Sequence, residues 1–206
     1  MAHRRKPLAV AFAINTAVLL VEVGGGVRAS SLSLLLDGVH NLSDEVALGF
    51  LVLAYTLRTG LSGKLLQSAN LFNSLGLIAV CLFLVWQVLE RLAQPVPVLG
   101  LIPVVAGVFD AIGNWGVARV LREPARDDAA IRLAYVHNLG DTLLSLTPVV
   151  AGILVLVTGR SLFDPLVALV IAGVILITTI RSVLGSRKEL MWPKNVVCGH
   201  PKPGSI

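Results

Sequence analysis

Apolar residues along this chain neither alternate, as in a half-buried strand, nor recur in the stripe of a surface helix. They run on, segment after segment, for roughly 20 residues at a time, the length an α-helix needs to cross a bilayer's hydrocarbon core. Six runs are read, at 7–23, 31–57, 71–89, 99–121, 129–157 and 162–184. Polar or helix-breaking punctuation separates them: Gly24-Gly25-Gly26, which is expected to close span 1; the loop 58–64; Glu90-Arg91 followed by Pro95 and Pro97; the charged loop 122–128; and Gly159-Arg160-Ser161. The expected architecture is an all-α integral membrane protein of six transmembrane helices. A short basic segment, 1–6, precedes the membrane domain, 7–184, and a polar tail, 185–206, follows it, too short for a further C-terminal domain.

Composition supports this reading. Of the 206 residues 55% are hydrophobic and 14% charged, where a soluble domain carries about a quarter charged. The formal charge of +5 does not point to nucleic acid, because the basic residues are sorted by side. Arg4, Arg5, Lys6, Arg58, Lys64, Arg119, Arg122, Arg126, Arg132, Arg181, Arg187, Lys188, Lys194 and Lys202 fall on one face of a six-span topology, and Arg28, Arg91 and Arg160 on the other. The positive-inside rule then puts both termini in the cytoplasm, of a bacterial inner membrane. Residues 1–6 lead straight into a span with no clear cleavage site, so no removable signal is expected. Cys81 and Cys198 make no disulfide framework.

Ionisable residues inside the runs are the informative exceptions. Span 2 carries Asp37-Gly-Val-His40-Asn-Leu-Ser-Asp44-Glu45, and span 5 carries His137-Asn-Leu-Gly-Asp141. Both contain His-Asn-Leu-x-Asp. In a helix each His and Asp then project from one face, one turn apart. An ionised Asp at the bilayer centre costs about 2.5–3.5 kcal/mol on insertion scales, so these acids must face the bundle interior, water or a cation. The two spans run in opposite directions, and His40 and His137 both lie near mid-membrane, the depth favoured by transporter sites. Two imidazoles and two carboxylates make a four-ligand set for Zn²⁺, and imidazole favours Zn²⁺, Cd²⁺ or Co²⁺ over harder ions. The pair of carboxylates balances a divalent charge, and protons can replace the metal when it leaves, the physical basis of metal–proton exchange.

These residues resemble the cation diffusion facilitators, a family of proton-coupled zinc and heavy-metal exporters. The resemblance covers nearly all six spans. It rests on Glu22 and Gly25-Gly26, Ser31-Leu32 leading into Asp37-Gly-Val-His40-Asn-Leu-Ser-Asp44, Glu90-Arg91-Leu92, His137-Asn-Leu-Gly-Asp141 with Ser145, and Asp164-Pro165. It implies that His40, Asp44, His137 and Asp141 bind the transported metal in the manner of the family's zinc branch, that protons are the counter-substrate, and that the protein works as a homodimer by alternating access. Against the family pattern, the chain stops about 22 residues after span 6, short of the usual cytoplasmic metal-binding domain of roughly 80–100 residues. A dimer would then form through the spans, with Ala168-x-x-x-Ala172-Gly173 as a candidate face.

Several residues keep two readings. Asp110 is either a buried acid bonded to Asn114 or a neighbouring helix, or a proton carrier beside the site. Asp37 shares the face of His40 and Asp44 and is either an outer hydrogen-bond partner of the ligands or a proton carrier. Glu45 points to a different helix, and Glu22 is an interface or packing acid. Pro148 should kink span 5. Cys198-Gly-His200 is either a solvated tail or a metal-catching pair, and the sequon Asn41-Leu-Ser43 is discarded because it lies within a span. No enzyme is expected: there is no His-Glu-x-x-His, and four ligands leave no open coordination position. The other classes to be weighed are a metal-binding membrane partner that does not transport, and an exporter of Fe²⁺ or Mn²⁺.

Overall fold

The computed structural model describes residues 2–57, 63–126 and 129–189, with side chains placed from 6 to 181 except 54–72, 127–130 and 133. The chain folds into α1 (Ala2–Ala29), α2 (Leu32–Leu57), α3 (Gly63–Ala93), α4 (Leu101–Leu121), α5 (Ala129–Leu144), α6 (Leu146–Thr158) and α7 (Phe163–Glu189). No strand occurs among the described residues. Five stretches are long and apolar enough to cross a membrane: Lys6–Ala29, Asn73–Ala93, Leu101–Leu121, Ala134–Thr158 and Phe163–Arg181. The sixth crossing is α2. It is 26 residues long, but it carries Asp37, Asp44 and Glu45, which lower its apolar character. The protein is therefore a six-span, all-α, multi-pass membrane protein, with α5 and α6 forming one broken span.

The bundle is turned inside out relative to a soluble protein. On α4, Val105, Ile112 and Trp115 lie on the outer surface, whereas Asp110 and Asn114 are buried. Lipid solvates the apolar face, so the polar side chains gather inside, where they find partners. Two apolar clusters hold the two ends. Leu32 and Leu36 of α2 pack with Cys81, Leu84 and Val88 of α3 and with Ala168, Ile171 and Ala172 of α7. Leu8 and Ala11 of α1 pack with Leu51, Val117, Leu121 and Ile131 at the other end. The expected dimer face is thus consumed within the protomer: Ala168 and Ala172 are buried against α2 and α3.

Span 1 is longer than expected. Gly24-Gly25-Gly26 does not end α1, which continues to Ala29. The helix continues through the glycines, and two of them, Gly25 and Gly26, serve close packing instead. A Cβ on Gly26 would come within 2.8 Å of the Leu35 side chain, so only glycine lets the last turn of α1 lie against the first turn of α2. The helix closes at Ser30, whose φ of 55° is left-handed. The amide of Ser31 donates to the carbonyl of Gly26 and that of Ser30 to Val27, the paired bonds of a Schellman cap. Arg91 then donates to the Ser30 carbonyl.

Asp164, at the start of α7, fixes the start of α2. One carboxylate accepts from the Leu32 amide at 2.7 Å and from the hydroxyls of Ser31 and Ser33 at 2.6 Å each. It satisfies an orphan amide of a helix N-terminus from a neighbouring helix. The Leu99 amide donates to the Ala29 carbonyl, and the Val98 amide to Ser161 Oγ. The α1–α2, α3–α4 and α6–α7 connections therefore meet at one end of the bundle.

Candidate metal centre

The His-Asn-Leu-x-Asp segments lie in regular helix, in α2 and α5, so each His sits one turn before its Asp. The fold brings the two faces together. His40 Nε2 is 3.2 Å from Asp141 Oδ1 and 3.7 Å from Asp44 Oδ2. His137 Nε2 is 2.8 Å from Asp44 Oδ1 and 3.5 Å from Asp141 Oδ2. The pairing is crossed: each imidazole stands nearer the carboxylate of the opposite helix than that of its own. The two rings meet edge to face with centroids 5.7 Å apart.

This spacing has a chemical meaning. Four atoms at 2.0–2.1 Å from a tetrahedral Zn²⁺ stand about 3.3 Å from one another. The N···O separations, 2.8 to 3.7 Å, run to both oxygens of each carboxylate and are of that order, and one ligand atom from each side chain lies within 4.8 Å of the others. Asp44 Oδ2 and Asp141 Oδ2 are buried without a hydrogen-bond partner among the described residues, as acceptors waiting for a cation would be. The His137 side chain is 46% exposed, against 14% for His40, 11% for Asp44 and 9% for Asp141. The cluster is open on the α5 side and closed on the α2 side.

The local break in the fifth span lies one turn beyond this cluster. Pro148 has no amide to give the Leu144 carbonyl, and the helix interrupts at Ser145, between α5 and α6. Thr147 Oγ1 donates to that freed carbonyl. The amide and hydroxyl of Ser145 both donate to the Asp141 carbonyl, at 2.8 and 2.7 Å. The expected kink at Pro148 is thus a local interruption at Ser145, which keeps right-handed helical dihedrals (φ −59°, ψ −18°) and its bonds to the Asp141 carbonyl.

Asp37 and Asp110 do not join the His and Asp side chains. They form a second cluster with Glu22, in which one carboxylate oxygen from each lies within 4.8 Å of the others. Asp110 also accepts from Asn114 Nδ2 at 2.8 Å, which is the hydrogen-bonded reading of that residue. Glu22, read as an interface or packing acid, is wholly buried between α1 and its neighbours. Its role was missed because a single Glu in a span says nothing of its partners. Glu22 and Asp110 are, however, the one acid in each of their spans, and that shared isolation was the available signal. Glu45 meets a different helix as expected, accepting from Asn15 Nδ2 at 3.0 Å and from Thr16 Oγ1. Cys198 and His200 lie outside the described residues.

Known proteins are similar to most of this chain. Residues 8–191 match the cation efflux transmembrane domain. The chain is 30% identical over 198 residues to a protein named zinc transporter ZitB of Escherichia coli, covering 92% of this chain and 63% of that one. It is 28% identical to a cadmium, cobalt and zinc/H⁺-K⁺ antiporter of Bacillus subtilis, covering 84% of this chain and 58% of the relative. A metal cation efflux system protein, CzcD, of Cupriavidus metallidurans is 27% identical, with 81% of this chain and 55% of the relative covered. The chain thus spans less than two thirds of the length of these relatives. Its helices, its crossed His–Asp cluster and the match along nearly its whole length lead to one conclusion: the chain belongs to the cation efflux family.

Proposed function

We propose that this protein exports a divalent metal from the cytosol across the bacterial inner membrane, with Zn²⁺ the preferred substrate and Cd²⁺ and Co²⁺ also carried. The ligands are His40, Asp44, His137 and Asp141. The observation that carries the reading is that one ligand atom from each of these four side chains, on two helices, lies within 4.8 Å of the others, close enough to share one ion. The relatives named as zinc transporter and as cadmium, cobalt and zinc antiporter support the substrate class.

Protons are the counter-substrate. Neutral imidazole and ionised carboxylate bind metal, and their protonated forms release it. With the metal bound, its charge cancels the two carboxylates. With the metal gone, protons let the His and Asp side chains remain buried without the cost of bare charge in a low dielectric. Alternating access then needs α5 to move against α2, and the break at Ser145 and Pro148 supplies a joint beside Asp141. The protein acts as a dimer whose contacts lie outside the Ala168–Ala172 face, which the protomer already uses.

The test is metal flux into proteoliposomes holding the purified protein. Zinc movement is expected to be driven by an opposed pH gradient and to fall to background in Asp44→Ala. Zinc flux indifferent to the gradient would end the exchange reading. Zinc binding without flux would favour a metal-binding membrane partner instead.

A further inference from the structure

We propose that Glu22, Asp37, Asp110 and Asn41 form a second cation site, separate from the His–Asp cluster and selective for a hard divalent cation of the Mg²⁺, Ca²⁺ and Mn²⁺ class. Three helices supply the carboxylates: α1 gives Glu22, α2 gives Asp37 and α4 gives Asp110. All three are buried, at 0%, 2% and 0% exposure, and their oxygens lie within 4.8 Å of one another. Among the described residues no Lys or Arg lies within ion-pairing distance of them. Three carboxyl groups this close, in a dry interior, cannot remain as bare anions and need a cation or protons beside them.

The polar atoms of the cluster outnumber the donors that the described residues offer them. Glu22 Oε1, Asp37 Oδ2 and Asp110 Oδ2 have no hydrogen-bond partner among the described residues. Asn41, 1% exposed, donates from Nδ2 to Glu22 Oε2 at 2.6 Å and to Asp110 Oδ1 at 3.3 Å, while its own Oδ1 is unpartnered. The amide therefore stands beside the cluster, with its Oδ1 unpartnered. Carboxylate and carbonyl oxygens without imidazole or thiolate select hard cations, the opposite preference to the His–Asp cluster. The oxygens lie close enough together to share one ion. A divalent ion leaves a single negative charge, which one proton on a carboxyl removes.

The site is wired to both halves of the His–Asp cluster. Asn41 follows His40 in α2. Asn114 bridges Asp110, at 2.8 Å, to Ser145 Oγ, at 3.1 Å, and that hydroxyl holds the Asp141 carbonyl. Filling this site thus bears on the backbone that carries His40 and Asp141.

The experiment uses the purified full chain with Mn²⁺ as the paramagnetic probe. Bound Mn²⁺ is counted by loss of the free-ion EPR signal, with one equivalent of Zn²⁺ per chain, enough to fill the His–Asp cluster without an excess to compete at the oxygen site. One Mn²⁺ per chain is expected to remain bound, to be displaced by Ca²⁺ or Mg²⁺, and to weaken by ~10-fold or more in Asp110→Asn and in Glu22→Gln. Asp44→Asn is expected to leave it in place, and zinc binding measured separately in Asp110→Asn shows that this variant is folded. Mn²⁺ that Zn²⁺ displaces, or that Asp44→Asn removes, would place the ion in the His–Asp cluster and overturn the proposal. So would the absence of any Zn²⁺-resistant Mn²⁺, which would leave the three carboxylates neutralised by protons alone.

Discussion

Asp44 and Asp141 each face two imidazoles, one from their own helix and one from the opposite helix. Selectivity follows from what those imidazoles are. His40→Asp replaces a nitrogen ligand by an oxygen and converts two-nitrogen, two-oxygen ligation to one-nitrogen, three-oxygen. The expected result is a loss of preference for Zn²⁺ over Mn²⁺ by ~10-fold or more, as the donor set moves toward hard ions. Competition between the two metals in a binding or flux measurement reads it, and an unchanged preference would remove His40 from the ligands. At this scale much was legible in the sequence. A repeated His-Asn-Leu-x-Asp needs only helical geometry to place each His beside its Asp, and the cost of charge in lipid to bring the pairs together. Asp37 sits on the same face of α2, yet the fold assigns it to Glu22 and Asp110. Helical spacing gives a shared face, but three and four residues are also enough turn for neighbouring helices to divide that face between them.

The helices hold their ends by bonds that cross between elements, and those were not legible. Asp164 of α7 caps the start of α2 from 132 positions away in the chain. Asp164→Ala leaves the Leu32 amide and two buried hydroxyls without their acceptor. Each buried unsatisfied group costs ~1–3 kcal/mol, so a loss of about 3 kcal/mol or more is expected, seen as a marked fall in the melting temperature of the detergent-solubilised protein. A fall no larger than that of an exposed lipid-facing substitution such as Ile112→Ala would show that the cap contributes little. Ser30 makes the opposite prediction. It occupies a left-handed turn at φ 55°, where a Cβ costs roughly 1 kcal/mol. Ser30→Gly removes that strain against a small entropic penalty in the unfolded chain, and is expected to preserve or slightly raise the melting temperature. The glycine triplet shows why such ends are hard to read. Gly24-Gly25-Gly26 resembles a terminator in sequence, but tertiary packing makes it the seat of Leu34, Leu35 and Ile102. The actual stop falls on a serine four positions later.

For the whole molecule, the sorting of charge and the joining of the loops bear on how it sits in the bilayer. Ser30, Arg91, Leu99 and Ser161 meet at one end of the bundle through the bonds between Arg91 and Ser30, Leu99 and Ala29, and Val98 and Ser161. The same end carries Arg28, Arg91 and Arg160, and among the described residues Lys6, Arg119, Arg122, Arg126, Arg132 and Arg181 lie toward the other end. An excess of Lys and Arg in short loops is retained on the cytoplasmic side during insertion. Arg160 and Arg122 are exposed, in connections at opposite ends, and they report the orientation directly. With Cys198 replaced by Ser, and Cys81 buried, a membrane-impermeant thiol reagent applied to intact cells is expected to label Arg160→Cys and to spare Arg122→Cys until the membrane is opened. The reverse pattern would invert the protein, and with it the direction in which the exposed face of His137 meets its metal. Labelling of both from outside would break the six-span topology. The orientation matters to the proposed export because Asp44 and Asp141 are matched to a cation, not to a direction. In the proposed exchange, the gradient of protons across the membrane, acting on a site that takes either metal or protons, sets which way the metal goes.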